Sequence, residues 1–210
     1  MIIKLIKTQL LILDSMSFRK EKKFKLSKSE LKLLKFSLLE KGMKVLYPKR
    51  IIRSCYFDTK NLQMFYDSEE GILPRKKIRY RWYNSVQEVN KEIKISSMEG
   101  RYKKTYFIGP LKLSQINQKK LYDQKYGAIY PYILIKYVRE YFFYKKLRFT
   151  FDTDIEYEKI DSHGVKSIDK DCVLEIKAPS NINDDYLEKI MFKQTERFSK
   201  YCRGIKSFLH

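Results

Sequence analysis

The chain has 210 residues, enough for one domain with a substantial core. Lys and Arg number 45 against 25 Asp and Glu, a formal charge of +20 that points to an anionic partner: polyphosphate, nucleic acid or an acidic membrane surface. Three scattered cysteines with no CxxC and only two histidines exclude a disulfide framework and a histidine-based metal site, and no apolar run approaches the roughly 20 residues that cross a bilayer.

Residues 1–16 read as an N-terminal extension with basic residues and a short apolar patch, but without the small-residue cleavage site of a signal peptide. Met16 is a candidate natural start, because the first recognisable strand begins directly behind it. With reduced cysteines and no membrane span, the expected location is cytoplasmic. The first strand runs from about Ser17 to Leu26 and sets Arg19, Glu21 and Lys23 on one face. Ser27 then opens a capping box with Glu30, and the leucines behind it predict an amphipathic helix ending near Gly42. Ile51–Phe57 predicts a strand, and Asp58-Thr59 can cap a helix over Leu62, Met64, Phe65 and Tyr66.

Arg75 to Tyr83 reads R-K-K-I-R-Y-R-W-Y. As a strand it places Arg75, Lys77, Arg79 and Arg81 on one face, and Ile78, Tyr80 and Trp82 on the other. The same grammar, charge at i and i+2 opposite an apolar stripe, returns at Glu92-Lys94 and Glu175-Lys177. In a closed barrel one face of every strand points inward, so these charges predict a cationic interior.

Further along, residues 89–96 and 101–107 predict a hairpin turning at Met98-Glu99-Gly100, and a short helix is expected across residues 113–122. Residues 133–144 and 146–157 form a long antiparallel pair, and Cys172–Lys177 another strand. A helix over residues 184–194 and a tail at residues 198–205 complete an α+β chain: an antiparallel barrel of about eight strands with flanking helices.

The pieces Y-F-D-T (56–59), K-I-R-Y-R-W-Y (77–83), E-I-K (92–94), Y-V-R-E-Y (137–141), R-F-T-F-D-T-D-I (148–155), V-L-E-I-K (173–177) and F-S-K-Y (198–201) occur in order. From about Ser17 to the C-terminus the chain resembles the VTC (vacuolar transporter chaperone) domain of polyphosphate polymerases, within the triphosphate tunnel metalloenzyme superfamily. The resemblance implies an eight-stranded antiparallel tunnel holding a triphosphate or a growing polyphosphate chain. It implies that Lys23, Arg79, Arg81, Lys94, Arg139 and Arg148 are phosphate-binding cations. Lys200, with Ser199 beside it, matches the motif lysine that closes the tunnel, and Tyr137 is a wall residue able to hydrogen-bond phosphate. Glu175 matches the carboxylate that holds a catalytic Mn²⁺ or Mg²⁺, with Glu21 and Glu92 as secondary acids on matching inward faces.

Elementary chemistry agrees. Phosphoryl transfer needs positioning and charge neutralisation more than covalent help, and a carboxylate suits a hard divalent ion where histidine does not. The same carboxylates can also serve as salt-bridge partners of neighbouring cations in the empty protein. Asp152 and Asp154 are expected to balance Arg148. Ser96 stands where polymerase relatives can carry a phosphate-touching histidine, and the SPX domain and membrane helices of eukaryotic polymerase complexes are not seen in this sequence. Three functions stay open: polymerisation from ATP; hydrolysis of inorganic or nucleoside triphosphate; and binding of polyphosphate or nucleic acid without turnover. Glu175 disfavours the last, and aromatics opposite the cations disfavour nucleic acid.

Overall fold

The structure, a computed structural model, describes residues 19–84, 88–160, 164–179, 182–183, 185–186, 191 and 193–209. The expected extension at 1–16 and most of the helix expected at 184–194 lie outside these residues. In chain order the elements are β1 (Arg19–Leu26), α1 (Lys28–Glu40), β2 (Lys44–Asp58), α2 (Gln63–Glu70), β3 (Arg75–Tyr83), β4 (Glu88–Ser97) and β5 (Gly100–Pro110). There follow α3 (Leu113–Asn117), β6 (Leu121–Asp123), β7 (Gly127–Tyr144), β8 (Leu147–Lys159), β9 (Lys166–Ile168), β10 (Cys172–Pro179) and α4 (Lys200–Lys206).

Eight strands make one antiparallel sheet in the order β1-β10-β8-β7-β2-β3-β4-β5, with β6 added beside β7 and β9 beside β8. The sheet curls on itself as a half-barrel, and no ladder joins β1 to β5 among the described residues.

Alternation decides what each face buries. On β3, Ile78, Tyr80 and Trp82 join an outer core with Cys55 and Phe57 of β2, covered by Met64 of α2 and Ile116 of α3. A second outer core packs Phe24, Phe149, Phe151, Leu174 and Ile176 beneath Leu31 and Leu38 of α1. The third lies on the concave side, where Ile133, Ile135 and Tyr157 meet Tyr201, Cys202 and Ile205 of α4.

Local sequence explains the helix starts. Ser27 Oγ accepts from the Glu30 N–H at 3.2 Å while the Glu30 carboxylate accepts from the Ser27 N–H at 2.7 Å, the reciprocal capping box. Asp58 accepts from the N–H groups of Met64 and Phe65, and Thr59 from that of Gln63, which satisfies the first turn of α2. The helix expected across residues 113–122 stops at Asn117, because residues 121–123 pair with β7 instead. Asp123 Oδ1 accepts from the Lys125 and Tyr126 N–H groups and so builds the turn between those strands.

The C-terminal helix seats closely on the concave face. A Cβ built on Gly204 would lie 2.6 Å from Tyr157 Cδ1 and 2.7 Å from Ile133 Cδ1. The Tyr157 ring and the Ile133 methyl are both locked in a full core, so Gly204→Ala is expected to destabilise the fold by about 1–3 kcal/mol through overpacking. Thermal denaturation reads this directly, and an unchanged midpoint would mean that α4 is free to move.

Candidate active site

The concave face encloses a cavity of about 730 Å³. Its wall is assembled by register. Lys23 of β1 stands opposite Glu175 of β10, Tyr56 of β2 opposite Arg79 of β3, Ser54 opposite Arg81, and Lys77 opposite Lys94 of β4. Residues paired across an antiparallel ladder share a face, so one curled surface collects Lys23, Lys77, Arg79, Arg81, Lys94, Arg139 and Lys177. The cavity is lined by all of these, with Tyr137, Ser199 and Lys200 on the same wall and Arg101 and Lys103 entering from β5. Glu21 and Glu175 are the carboxylates of the strand walls, and Glu196 joins them from the segment before α4.

Two further carboxylates sit behind the cations and hold them. Glu92 is 3% exposed. It accepts from Arg79 Nε at 2.7 Å and Nη2 at 2.5 Å and from Lys103 Nζ at 2.9 Å, with Arg81 Nη1 at 3.5 Å. Asp152 is fully buried and takes both prongs of Arg139, at 2.5 and 2.7 Å, plus Lys200 Nζ at 2.5 Å. Burial alone would raise both carboxyls. The neighbouring cations overcome it and hold both below the usual carboxylate range. Both are therefore ionised, and they fix the cations of the cavity wall in place.

Nine of the ten residues singled out in the sequence line this one cavity: Lys23, Arg79, Arg81, Lys94, Tyr137, Arg139, Glu175, Ser199 and Lys200. Arg148 pairs in register with Lys177 and so shares the inward face, but it stands outside the cavity wall. The expectation for the aspartates needs correcting. Asp152 neutralises Arg139 and Lys200. Asp154, at φ 50° where the β7–β8 register shifts, is turned out to Lys28 at 3.6 Å. A bulge reverses parity, and no local sequence signal announced it.

Several further candidates were not among the ten assigned a role from the sequence. Lys77 shares the parity of Arg79 and Arg81; its Nζ donates to Ser199 Oγ at 2.9 Å and thereby ties the Lys200 segment to β3. Lys103 is adjacent to Lys104 in sequence, so alternation alone could not choose which of them faces inward. Tyr56 was visible only as part of Y-F-D-T. Its Oη accepts from Arg79 Nη1 at 2.5 Å, and its ring stacks on Tyr201 at 5.0 Å. Burial would raise the Tyr56 phenol, but Arg79, Arg81 and Lys94 bring it down to about 8. Lys94, buried beside Arg79, is lowered to about 8 as well.

Glu175 differs from Glu92 and Asp152. Its ion pairs are loose, 3.6 Å to Lys177 and 3.9 Å to Arg139, and Glu21 approaches the same Lys177 at 3.8 Å. Burial would raise its carboxyl, yet Arg139, Lys23 and Lys177 keep it well below the usual range. Among the described residues no three metal-binding side chains cluster. A hard cation that takes one or two carboxylates and completes its shell with phosphate oxygens and water still fits here. A site made of protein ligands alone does not.

The VTC domain profile matches residues 18–209. The chain belongs to the VTC domain family. No curated protein matches it in sequence. The fold of this VTC domain is that of solved tunnel proteins. PH1819 from Pyrococcus horikoshii OT3 matches with TM-score 0.52 at 16% identity, over 90% of this chain and 99% of that one. HpAC1 from Hippeastrum, described as having a dominant triphosphatase activity, matches with TM-score 0.54 at 14% identity, over 92% and 98% of the two chains. A Vibrio parahaemolyticus protein described as a candidate adenylate cyclase matches with TM-score 0.52 at 14% identity, over 90% and 98%. No helix among the described residues of the VTC domain is long and apolar enough to cross a membrane.

Proposed function

We propose that this VTC domain is a metal-dependent phosphotransferase that moves the γ-phosphate of ATP onto a polyphosphate chain held in the basic cavity. The observation that carries the reading is the convergence of cations from β1, β3, β4, β5, β7, β10 and α4 on one cavity. A triphosphate presents about four negative charges in a row, and fixed cations on several walls can meet them without rearrangement. Arg79, Arg81 and Arg139 offer planar forks for paired hydrogen bonds to phosphate oxygens, while Lys23, Lys94 and Lys200 act as point charges between them. Tyr137 backs Lys200, whose Nζ lies 4.6 Å from the centre of the ring, and so fixes where that charge points. Arg148 is assigned to the outer reach of the same basic face. Glu175 would hold Mn²⁺ or Mg²⁺ together with the substrate's own oxygens, and the ion would supply neutralisation of the transferring phosphate and its leaving group.

The triphosphatase description of HpAC1 favours a second reading on the same residues, with water as the acceptor. Incubating the purified protein with ATP and Mn²⁺ or Mg²⁺ separates the two: long-chain polyphosphate with ADP marks the polymerase, and orthophosphate without polymer marks the hydrolase. Absence of both polyphosphate and orthophosphate would defeat the enzymatic reading.

The pH dependence of binding has a definite sign. As pH rises through about 8, Lys94 loses its positive charge and Tyr56 gains a negative one. Both changes act against a polyanion, so inorganic triphosphate is expected to bind more weakly at pH 9 than at pH 7. Calorimetry without metal at the two pH values checks this.

A further inference from the structure

Arg101 and Lys103 on the inward side of β5 serve the cavity, whereas Lys104 and Tyr106 on its outward side lie clear of the cavity wall. Register carries the outer face of β3 across to this edge. Tyr80 stands opposite Lys91 of β4, which stands opposite Tyr106 of β5. Ile78 leads in the same way to Ile93 and Lys104, and Lys76 to Ile95 and Tyr102. Residues paired across a ladder share a face. The apolar packing of the outer core ends at Ile93, which is half-buried. Beyond it, Tyr102 and Tyr106 are each 49% exposed, Lys104 is exposed, and β5 is the edge of the sheet among the described residues.

Two features of this strip suit a polyanion that carries flat rings. Along β5 it reads ring, ammonium, ring, through Tyr102, Lys104 and Tyr106 at steps of about 7 Å. Lys91 sets a second ammonium beside Tyr106. The same face of β4 and β5 carries no carboxylate among the described residues. On β3 aromatics and cations occupy opposite faces, but on β5 both classes share one exposed face. Tyr102 Oη and Ser97 Oγ share a hydrogen bond at 3.2 Å, which steadies that ring at the hairpin end, where it also borders the cavity. A second copy of the chain is a poor occupant, because each copy carries a formal charge of +20.

We propose that the outward face of β4 and β5, built from Tyr102, Lys104, Tyr106 and Lys91, binds single-stranded nucleic acid. The inference stands apart from the phosphotransferase reading of the cavity. A strand drawn out along β5 lays bases on the two tyrosine rings and a phosphate on the ammonium between them. Every base has a π face, and the strip offers no side-chain amide or carboxylate to read base edges, so binding is expected without sharp sequence preference. A duplex keeps its bases stacked on one another and cannot use the rings.

The test uses the full chain and a fluorescein-labelled oligouridylate of about 12 nucleotides without a terminal phosphate, within the span of one sheet module. Anisotropy is read with inorganic triphosphate in excess, so that binding through the cavity is competed away. The parent should hold this probe more tightly than an RNA duplex of the same length. Tyr106→Ala should weaken binding about tenfold, and Tyr106→Phe, which keeps the ring face, should retain it. Lys104→Ala should lower the salt dependence by about one phosphate contact. Both positions are exposed, and unchanged thermal midpoints confirm that the variants are folded. Equal binding by Tyr106→Ala and the parent, equal binding of the duplex, or displacement of the probe by triphosphate overturns the site and leaves only the attraction of a basic chain. Absence of binding also overturns it, and self-association that Tyr106→Ala removes would make the strip a protein contact instead.

Discussion

Arg81→Ala is expected to abolish measurable phosphoryl transfer while the protein stays folded. Its guanidinium reaches the cavity from β3, with Nε donating to Ser54 Oγ at 3.1 Å and Nη2 to Tyr137 Oη at 3.2 Å. Each charge-assisted bond to phosphate contributes roughly 1.5–3 kcal/mol, and a fork loses two of them at once. Arg81→Lys should not restore the rate, because a point charge cannot make the paired contact. Arg79→Ala should be equally inactive but less stable. It removes the bidentate partner of Glu92, which is nearly inaccessible to water, and breaking a buried pair from one side costs about 3–5 kcal/mol. Adding Glu92→Gln to Arg79→Ala should recover part of that stability and none of the turnover. Steady-state rates and thermal midpoints on the four proteins check both claims, and normal turnover in either alanine variant would remove these arginines from the mechanism.

Glu175→Gln is expected to separate binding from chemistry. The amide keeps the shape but loses the negative charge that a hard divalent ion requires. Turnover should collapse or demand much more metal, whereas inorganic triphosphate should bind at least as well as before, since Arg79, Arg81 and Arg139 are untouched and one acidic charge has gone. Binding without metal and turnover across a Mn²⁺ titration, measured on one preparation, test the two halves. Loss of both would make Glu175 an organiser of Lys177, Arg139 and Lys23. Unchanged metal dependence would move the ion to Glu21 or elsewhere.

The parts of this architecture that were legible beforehand are those governed by a period of two. R-K-K-I-R-Y-R-W-Y assigns both faces of β3 without ambiguity, and the structure puts Ile78, Tyr80 and Trp82 in an outer core and Arg79 and Arg81 in the cavity. Capping signals were equally local: Ser27 with Glu30, and Asp58 with Thr59, fixed two helix starts. What stayed hidden depends on partners distant in sequence. The bulge at Asp154 is set by how β7 and β8 shift past one another, so simple alternation put Asp154 on the wrong face. Residues 121–123 pair with β7 because of the turn at Asp123, and helical propensity could not foresee it. Glu92 read as a secondary acid and Asp152 as a partner of Arg148, and only the fold shows each one grasping two or three other cations at once.

Those two carboxylates have a consequence for which anions the cavity admits. Each cation cluster already holds a counter-anion, bound through a fork and an ammonium group together. A singly charged ion offers one contact in exchange and gains little by competing with a carboxylate held that way. A chain of linked phosphates engages the Glu92 cluster and the Asp152 cluster in the same event, and its second contact is made at high effective concentration. On the phosphotransferase reading, the internal acids are expected to set a valence threshold: a singly charged ion such as chloride should compete poorly, and affinity should rise with the number of phosphates joined in a row.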